Sequence, residues 1–166
     1  LALKKSNQTI EVIEKLSDIL DYMIYRCNDT FVSLDKEIEL IKNYLSLEKI
    51  RYGKRVNITF NINISDHVKI APLLLLTFIE NAFKHGVSQE LKEAFITIDI
   101  ELKKNTIIFN VVNSKPKLVP EQKGEKSIGL NNIKKQLELL YGNHQYTLDI
   151  KDEKETYEIT LKIKGK

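Results

Sequence analysis

Cysteine is nearly absent: Cys27 is the single cysteine in 166 residues. No intramolecular disulfide can form, and such usage fits a reducing compartment rather than a secreted scaffold. An excess of one charge sign is missing too. Against 26 basic residues stand 23 acidic ones, a formal net charge of +3, and the two signs are interspersed, so the chain carries no basic footprint for nucleic acid. Long apolar runs are missing as well. The most apolar run, Leu73 to Leu76, lies in a segment, Ile70 to Ala82, that already holds Glu80 and Asn81, far short of the ~20 apolar residues that span a bilayer. No signal peptide opens the chain. It begins at Leu1, inside what reads as a helix, and so reads as a piece of something longer, with room for an upstream membrane segment.

What is there suffices for one domain with a helical appendage. Hydrophobic residues make up 42% of the chain, enough for a core without disulfide staples. Ile13, Leu16, Leu20, Met23 and Cys27 recur at helical spacing, widened by Ile10, Val12, Ile19 and Ile24, and predict a helix that needs a partner. Ser33 is a predicted N-cap, with Asp35 and Glu37 in the first turn where the helix dipole favours acids. Leu34, Ile38, Ile41 and Leu45 continue that second helix to about Arg51, and Gly53 stops it. Val56, Ile58, Phe60, Ile62 and Ile64 alternate with polar residues as in a strand with one buried face. Pro72 and Gly86 suit the start and stop of a third helix. Two alternating runs, Ile96 to Leu102 and Ile107 to Val111, flank Lys104-Asn105 and predict a hairpin. Ser114 to Ser127 reads as a long loop. A fourth helix is expected from about Leu130, with Ile133, Leu137 and Leu140 inward and Gly142 at its end, before closing strands near Tyr146 to Ile150 and Thr156 to Ile163. Strands and helices without strict alternation favour an α+β fold, a two-layer sandwich.

The third helix carries the chemistry. At about 100° per residue, Thr77, Glu80, Asn81, Lys84 and His85 fall within an arc of about 140°, opposite Leu75, Leu76, Phe78, Ile79, Ala82 and Phe83. Composition alone allows a plain solvated face. The residue types argue for more: a base, a neutral oxygen ligand for a hard cation, and a cation suited to phosphate converge over two turns.

The run Ala71-Pro72-Leu73-Leu74-Leu75-Leu76-Thr77-Phe78-Ile79-Glu80-Asn81-Ala82-Phe83-Lys84-His85-Gly86 resembles the N box of sensor histidine kinases of the LytS/YehU type, which carry the Bergerat (GHKL) ATPase fold. Leu34 to Glu39 and Tyr44 to Tyr52 resemble the helix that precedes the ATPase domain there, and Ile128-Gly129-Leu130-Asn131-Asn132-Ile133 resembles its second glycine box. The resemblance implies a mixed sheet covered by helices. It implies a helical remnant of the dimerisation and phosphotransfer region over residues 1–50, and an ATP-binding catalytic domain over residues 51–166. It further implies ATP with Mg²⁺ held by Asn81, phosphate contacts from Lys84 and Gly129, Glu80 polarising the attacking group, and a nucleotide site including His85, Asn113, Ser127, Leu130 and Asn132. The loop Ser114 to Ser127 would be the ATP lid. The partners implied are a response regulator and a second copy bound through the N-terminal helices, and the location is the cytoplasmic side of a protein of the bacterial inner membrane. Independent physics supports phosphate at the start of the fourth helix, where unpaired N–H groups and the dipole favour anions.

The sequence departs from the family at three points. Where Asp-x-Gly-x-Gly is usual, the chain reads Asn113-Ser114-Lys115-Pro116, so Asn113 takes the place of the adenine-reading Asp and the glycines are gone. Its amide can present either end, which predicts a looser separation of ATP from GTP than Asp gives. Ser127 stands where glycine is commoner. No Asn-Pro-His-Phe-like acceptor motif occurs, so the chain is not expected to phosphorylate itself. His67 and His144 read as surface residues. A competing reading is a nucleotide-sensing interaction module that has lost kinase activity.

Overall fold

A computed structural model describes residues 2–25, 29–87, 93–116, 125–142 and 144–166, with side chains from Thr9 onward and, in the fourth helix, from Leu130. Helix α1 spans Ala2–Tyr25 and α2 spans Leu34–Tyr52. Ser33 caps α2 as its spacing predicts, its Oγ accepting from the Lys36 N–H at 3.4 Å, and Gly53 ends it at φ 59°. That positive φ is cheap only for glycine. A short strand pair follows, β1 (Val32–Ser33) against β3 (Lys69–Ile70), and between them in sequence lies β2 (Val56–Asn63).

The main sheet has five strands. After α3 (Leu74–Ala82) come β4 (Ala94–Lys103) and β5 (Thr106–Ser114), then α4 (Glu125–Tyr141), β6 (Tyr146–Asp152) and β7 (Thr156–Lys164), in the spatial order β2-β4-β5-β7-β6. Only β2 and β4 run parallel; the other pairs are antiparallel. The predicted hairpin closes at Lys104 and Asn105, both at positive φ (47° and 59°), the two-residue turn whose twist matches that of the strands it joins.

One face of the sheet meets the helices. Ile96, Ile98 and Ile100 of β4 and Ile107, Phe109 and Val111 of β5 are buried in register, under Phe78, Ile79, Ile133 and Leu137. The other face is polar: Asn61 donates to Asp99 at 2.7 Å, and Asn110 to Glu158 at 2.7 Å and Thr160 at 2.9 Å. The α+β two-layer architecture expected from the sequence is the one found.

Several expectations need correction. The buried face predicted for β2 fades along the strand, from buried Val56 to Ile62 at 40% exposure, because β2 is an edge strand paired only with β4. Of the apolar residues of α1, Ile19 is buried, whereas Ile10, Ile13, Leu16, Leu20 and Ile24 stay 46–60% exposed. Cys27 lies outside the described residues. Helix α4 starts at Glu125 rather than Leu130. Gly129 is thus inside it, a placement costing about 1 kcal/mol against alanine that the core contacts of Leu130, Ile133 and Leu137 offset. Among the described residues no helix is long and apolar enough to cross a membrane.

Candidate nucleotide site

Helix α3 buries Leu74, Leu75, Leu76, Phe78, Ile79 and Ala82. Its other side leaves Glu80 exposed and Asn81 half-buried, with exposed Lys84 and half-buried His85 one turn on, as the predicted arc requires. Thr77 belongs to that arc but spends its hydroxyl locally, donating to the Leu73 carbonyl at 2.8 Å. Beyond Ala82 the chain widens into one π-helical turn, Phe83–Val87, a local distortion common at functional sites. Phe83 anchors the turn, stacked on Tyr52 and edge-on to Tyr44.

Gly86 does not stop the helix, as predicted, but sits buried inside the π turn. A Cβ there would lie 2.8 Å from the Ser114 carbonyl oxygen and would strike the Asn113 carboxamide. The requirement is close approach rather than chain reversal. Asn113 is in phase with Ile107, Phe109 and Val111 on β5, so its side chain faces the helical layer and is only 3% exposed. Its Nδ2 donates to the Ser114 carbonyl at 2.9 Å. The flip open to a free amide is therefore closed, since turning it would set Oδ1 against that carbonyl.

Pro72 does not lie in the first turn of α3. Leu73 follows it in the left-handed region at φ 61°, at a cost of about 1–2 kcal/mol for a residue with a Cβ. The segment is held from two sides. Tyr141 Oη of α4 accepts from the Ala71 N–H at 2.8 Å, and Glu37 Oε1 of α2 accepts from the Leu73 N–H at 2.7 Å; Pro72 between them has no N–H to satisfy. Burial pushes the Tyr141 phenol up to about 12, against the bond from Ala71 and with the Glu37 charge.

Two buried carboxylates went unread in the sequence. Glu37 is fully buried and Glu48 is 8% exposed, and one oxygen of each has no hydrogen-bond partner among the described residues. The signal was in the period: Leu34, Glu37, Ile41, Leu45, Glu48 and Tyr52 share the inward stripe of α2, and a carboxylate in core phase needs a partner or a task. Burial raises the Glu37 pKa, opposed by hydrogen bonds from Tyr22 and Leu73. Glu48 and Glu80 line one cavity of about 420 Å³ between α1, α2 and α3, walled by Val12, Leu16, Ile19 and Met23. Partial desolvation against the cavity wall, then the Glu48 charge, raises the Glu80 pKa, although the residue keeps an exposed face.

Leu130 is half-buried against the core and Asn132 is exposed on α4. Ser127 and Gly129 lie in the first two turns of that helix. Within the predicted lid, residues 117–124 lie outside the described residues. His67 is exposed and pairs with Asp35 at 3.0 Å, and His144 is exposed; both are surface residues, as read. Among the described residues no three His, Cys, Asp or Glu side chains converge as a metal cluster.

Residues 1–56 match the family model described as histidine kinase. The sensor histidine kinase YpdA of Escherichia coli (strain K12) is 29% identical over 141 residues, which cover 80% of this chain and 25% of YpdA. YesM of Bacillus subtilis (strain 168), also a sensor histidine kinase, is 27% identical over 162 residues, 92% of this chain and 27% of its own. The chain thus spans about a quarter of the length of these relatives. Among solved structures, full-length ShkA in complex with AMPPNP matches 99% of this chain and 37% of its own at TM-score 0.60 and 16% identity. The histidine kinase ThkA in complex with the response regulator protein TrrA matches 97% of this chain and 49% of its own at TM-score 0.57 and 20% identity. The fold is that of histidine kinase catalytic domains, and the likeness to sensor histidine kinases extends beyond α3 to most of this chain's length.

Proposed function

We propose that the chain is the ATP-binding catalytic domain of a two-component sensor histidine kinase, residues 51–166, preceded by part of its helical dimerisation region, residues 1–50. The observation that carries this reading is the meeting of Gly86 with Asn113 and Ser114. Two segments that resemble the N box and the adenine-reading position, far apart in sequence, converge through the π turn that also presents Lys84 and His85.

In this reading the Asn113 Oδ1 accepts from the adenine amino group, since Nδ2 is committed to Ser114. Lys84 meets phosphate, and first-turn amides of α4, including that of Ser127, offer donors the helix leaves unpaired. Gly129, inside the ladder, serves by close packing, with Leu130 beneath the nucleotide and Asn132 beside it. Mg²⁺, held by Asn81 and the phosphates, would neutralise charge on the transferring group; a magnesium site completed by phosphate needs one or two protein ligands rather than a cluster. Glu80 orients and accepts the proton of the attacking imidazole. The bond from the γ-phosphorus to the bridging oxygen breaks, ADP leaves, and a histidine outside this sequence carries the phosphoryl group to a response regulator. Catalysis here is positioning and charge stabilisation. Dimerisation is assigned to the exposed apolar residues of α1, and attachment to the bacterial inner membrane to segments outside this sequence.

Calorimetry with ATP, with and without Mg²⁺, on wild type and Asn81→Ala tests the reading. Wild type should bind more tightly with Mg²⁺, and Asn81→Ala should lose that advantage. Equal affinity in all four titrations would overturn it. Labelled ATP should leave the chain unlabelled, because no acceptor motif is present.

A further inference from the structure

We infer that Glu37 is a positioning residue that ties the start of α3 to α1, so that the placement of the first helix and occupation of the nucleotide site are coupled. The second half of this inference rests on the function proposed above; the first does not.

A single oxygen makes the tie. Glu37 Oε1 accepts from Tyr22 Oη of α1 at 2.7 Å and from the Leu73 N–H at 2.7 Å. The carboxyl is fully buried and its other oxygen has no hydrogen-bond partner among the described residues, so these donors are its described compensation. Around it lies a small apolar cluster made of one residue from each of the first three helices, Ile19 of α1, Leu40 of α2 and Leu76 of α3, with Tyr22, Met23 and Leu73 packed against it. In such surroundings a hydrogen bond to a carboxylate is strong, and losing one donor is costly.

Geometry makes the tie directional. Leu73 holds a left-handed conformation that a leucine does not favour, and its carbonyl receives both the Thr77 N–H at 3.0 Å and the Thr77 hydroxyl at 2.8 Å. The first turn of α3 is thus built on a residue whose own N–H is fixed by Glu37. Glu80, Asn81 and the π turn follow on the same helix. Ile19, Tyr22 and Met23 seat α1 on that cluster, while Ile10, Ile13, Leu16, Leu20 and Ile24 stay exposed, so a displacement of α1 acts on the surroundings of Glu37. Such a displacement withdraws the Tyr22 donor and leaves Glu37 to Leu73 alone. By linkage, a ligand that favours the present placement of α3 favours the present placement of α1 equally.

Amide hydrogen exchange on the intact chain tests both halves. Without nucleotide, Tyr22→Phe should speed exchange at Thr77 and Phe78 by about tenfold, while amides of β4 and β5 keep their rates. Tyr25→Phe, on the same helix and exposed, should change nothing. Glu37→Gln keeps an oxygen for both donors and should lie nearer wild type than Glu37→Leu. Unchanged α3 exchange in Tyr22→Phe, or a uniform acceleration across the sheet, overturns the tie. With Mg-ATP, wild type should gain protection in α1 around Tyr22, and Tyr22→Phe should bind ATP without that gain. Binding in both with the same α1 response overturns the coupling. Absence of ATP binding in wild type defeats the nucleotide reading, while the ligand-free arm still decides the tie.

Discussion

Gly86 and Asn113 fit together because the first has no side chain: the Asn113 carboxamide occupies the place a Cβ at Gly86 would take, and the Ser114 carbonyl lies 2.8 Å from that position. The contact locks the π turn to the end of β5.

Gly86→Ala therefore opposes two effects. Helix propensity alone favours alanine by about 0.5–1 kcal/mol, whereas overpacking against backbone costs about 1–3 kcal/mol. A net loss of about 1–2 kcal/mol in urea unfolding is expected, with loss of ATP binding. A stabilised variant would show that the contact relaxes freely.

Asn113 should separate ATP from GTP sharply. Its Nδ2 is held by Ser114, so the ligand meets an acceptor, which suits the adenine amino group and not the guanine carbonyl. Asn113→Asp keeps an acceptor for the adenine amino group but sets its second oxygen against the Ser114 carbonyl, so it should keep the preference while binding ATP more weakly than wild type, and Asn113→Ala should weaken ATP by up to about tenfold, the equivalent of a net hydrogen bond of roughly 0.5–1.5 kcal/mol. Titrations of the three proteins with both nucleotides decide it. Tight GTP binding by wild type would mean that the carboxamide turns after all.

Stability should respond to pH through two carboxyls of opposite sense. Glu37 has its pKa raised by burial, so the folded state holds the proton more tightly and stability falls as pH rises from the ordinary carboxylate range through the raised value. Glu158 has its pKa lowered by bonds from Asn110 and Lys151, so its contribution is present above the ordinary range and lost as pH falls through the lowered value. Urea midpoints across pH should show Glu37→Gln flattening the first slope and Glu158→Gln the second. Parallel curves for all three proteins would sink both assignments.

The exposed residues of α1 should mediate self-association. Ile13 and Leu20 are 60% and 54% exposed, so replacing both by Asp should alter unfolding by no more than about 0.5 kcal/mol per site. Sedimentation should then move from dimer to monomer. A wild type that sediments as a monomer at every concentration removes this role.

Period and turn chemistry made most of the fold legible. Alternation placed β4 and β5, the pair Lys104-Asn105 placed the hairpin, and Ser33 placed the start of α2. What stayed hidden depended on partners distant in sequence. Glu37 read as an acid near a helix start because nothing local reveals that Tyr22 and Leu73 surround it. Ile62 read as buried because alternation does not tell an edge strand from a central one. Gly129 read as a helix boundary because glycine is a poor helix former unless core contacts carry the helix through it.

The parallel pairing of β2 with β4 sets an order of assembly. β4 and β5 are joined by a two-residue turn and can zip together within microseconds, as hairpins do. β2 must instead wait until the chain between it and β4, with β3 and α3 in it, has closed a long loop, which costs entropy before its contacts repay it. β2, one edge of the sheet, thus docks after that hairpin has formed, and the helix with the polar stripe is committed to its place only when that docking closes the loop.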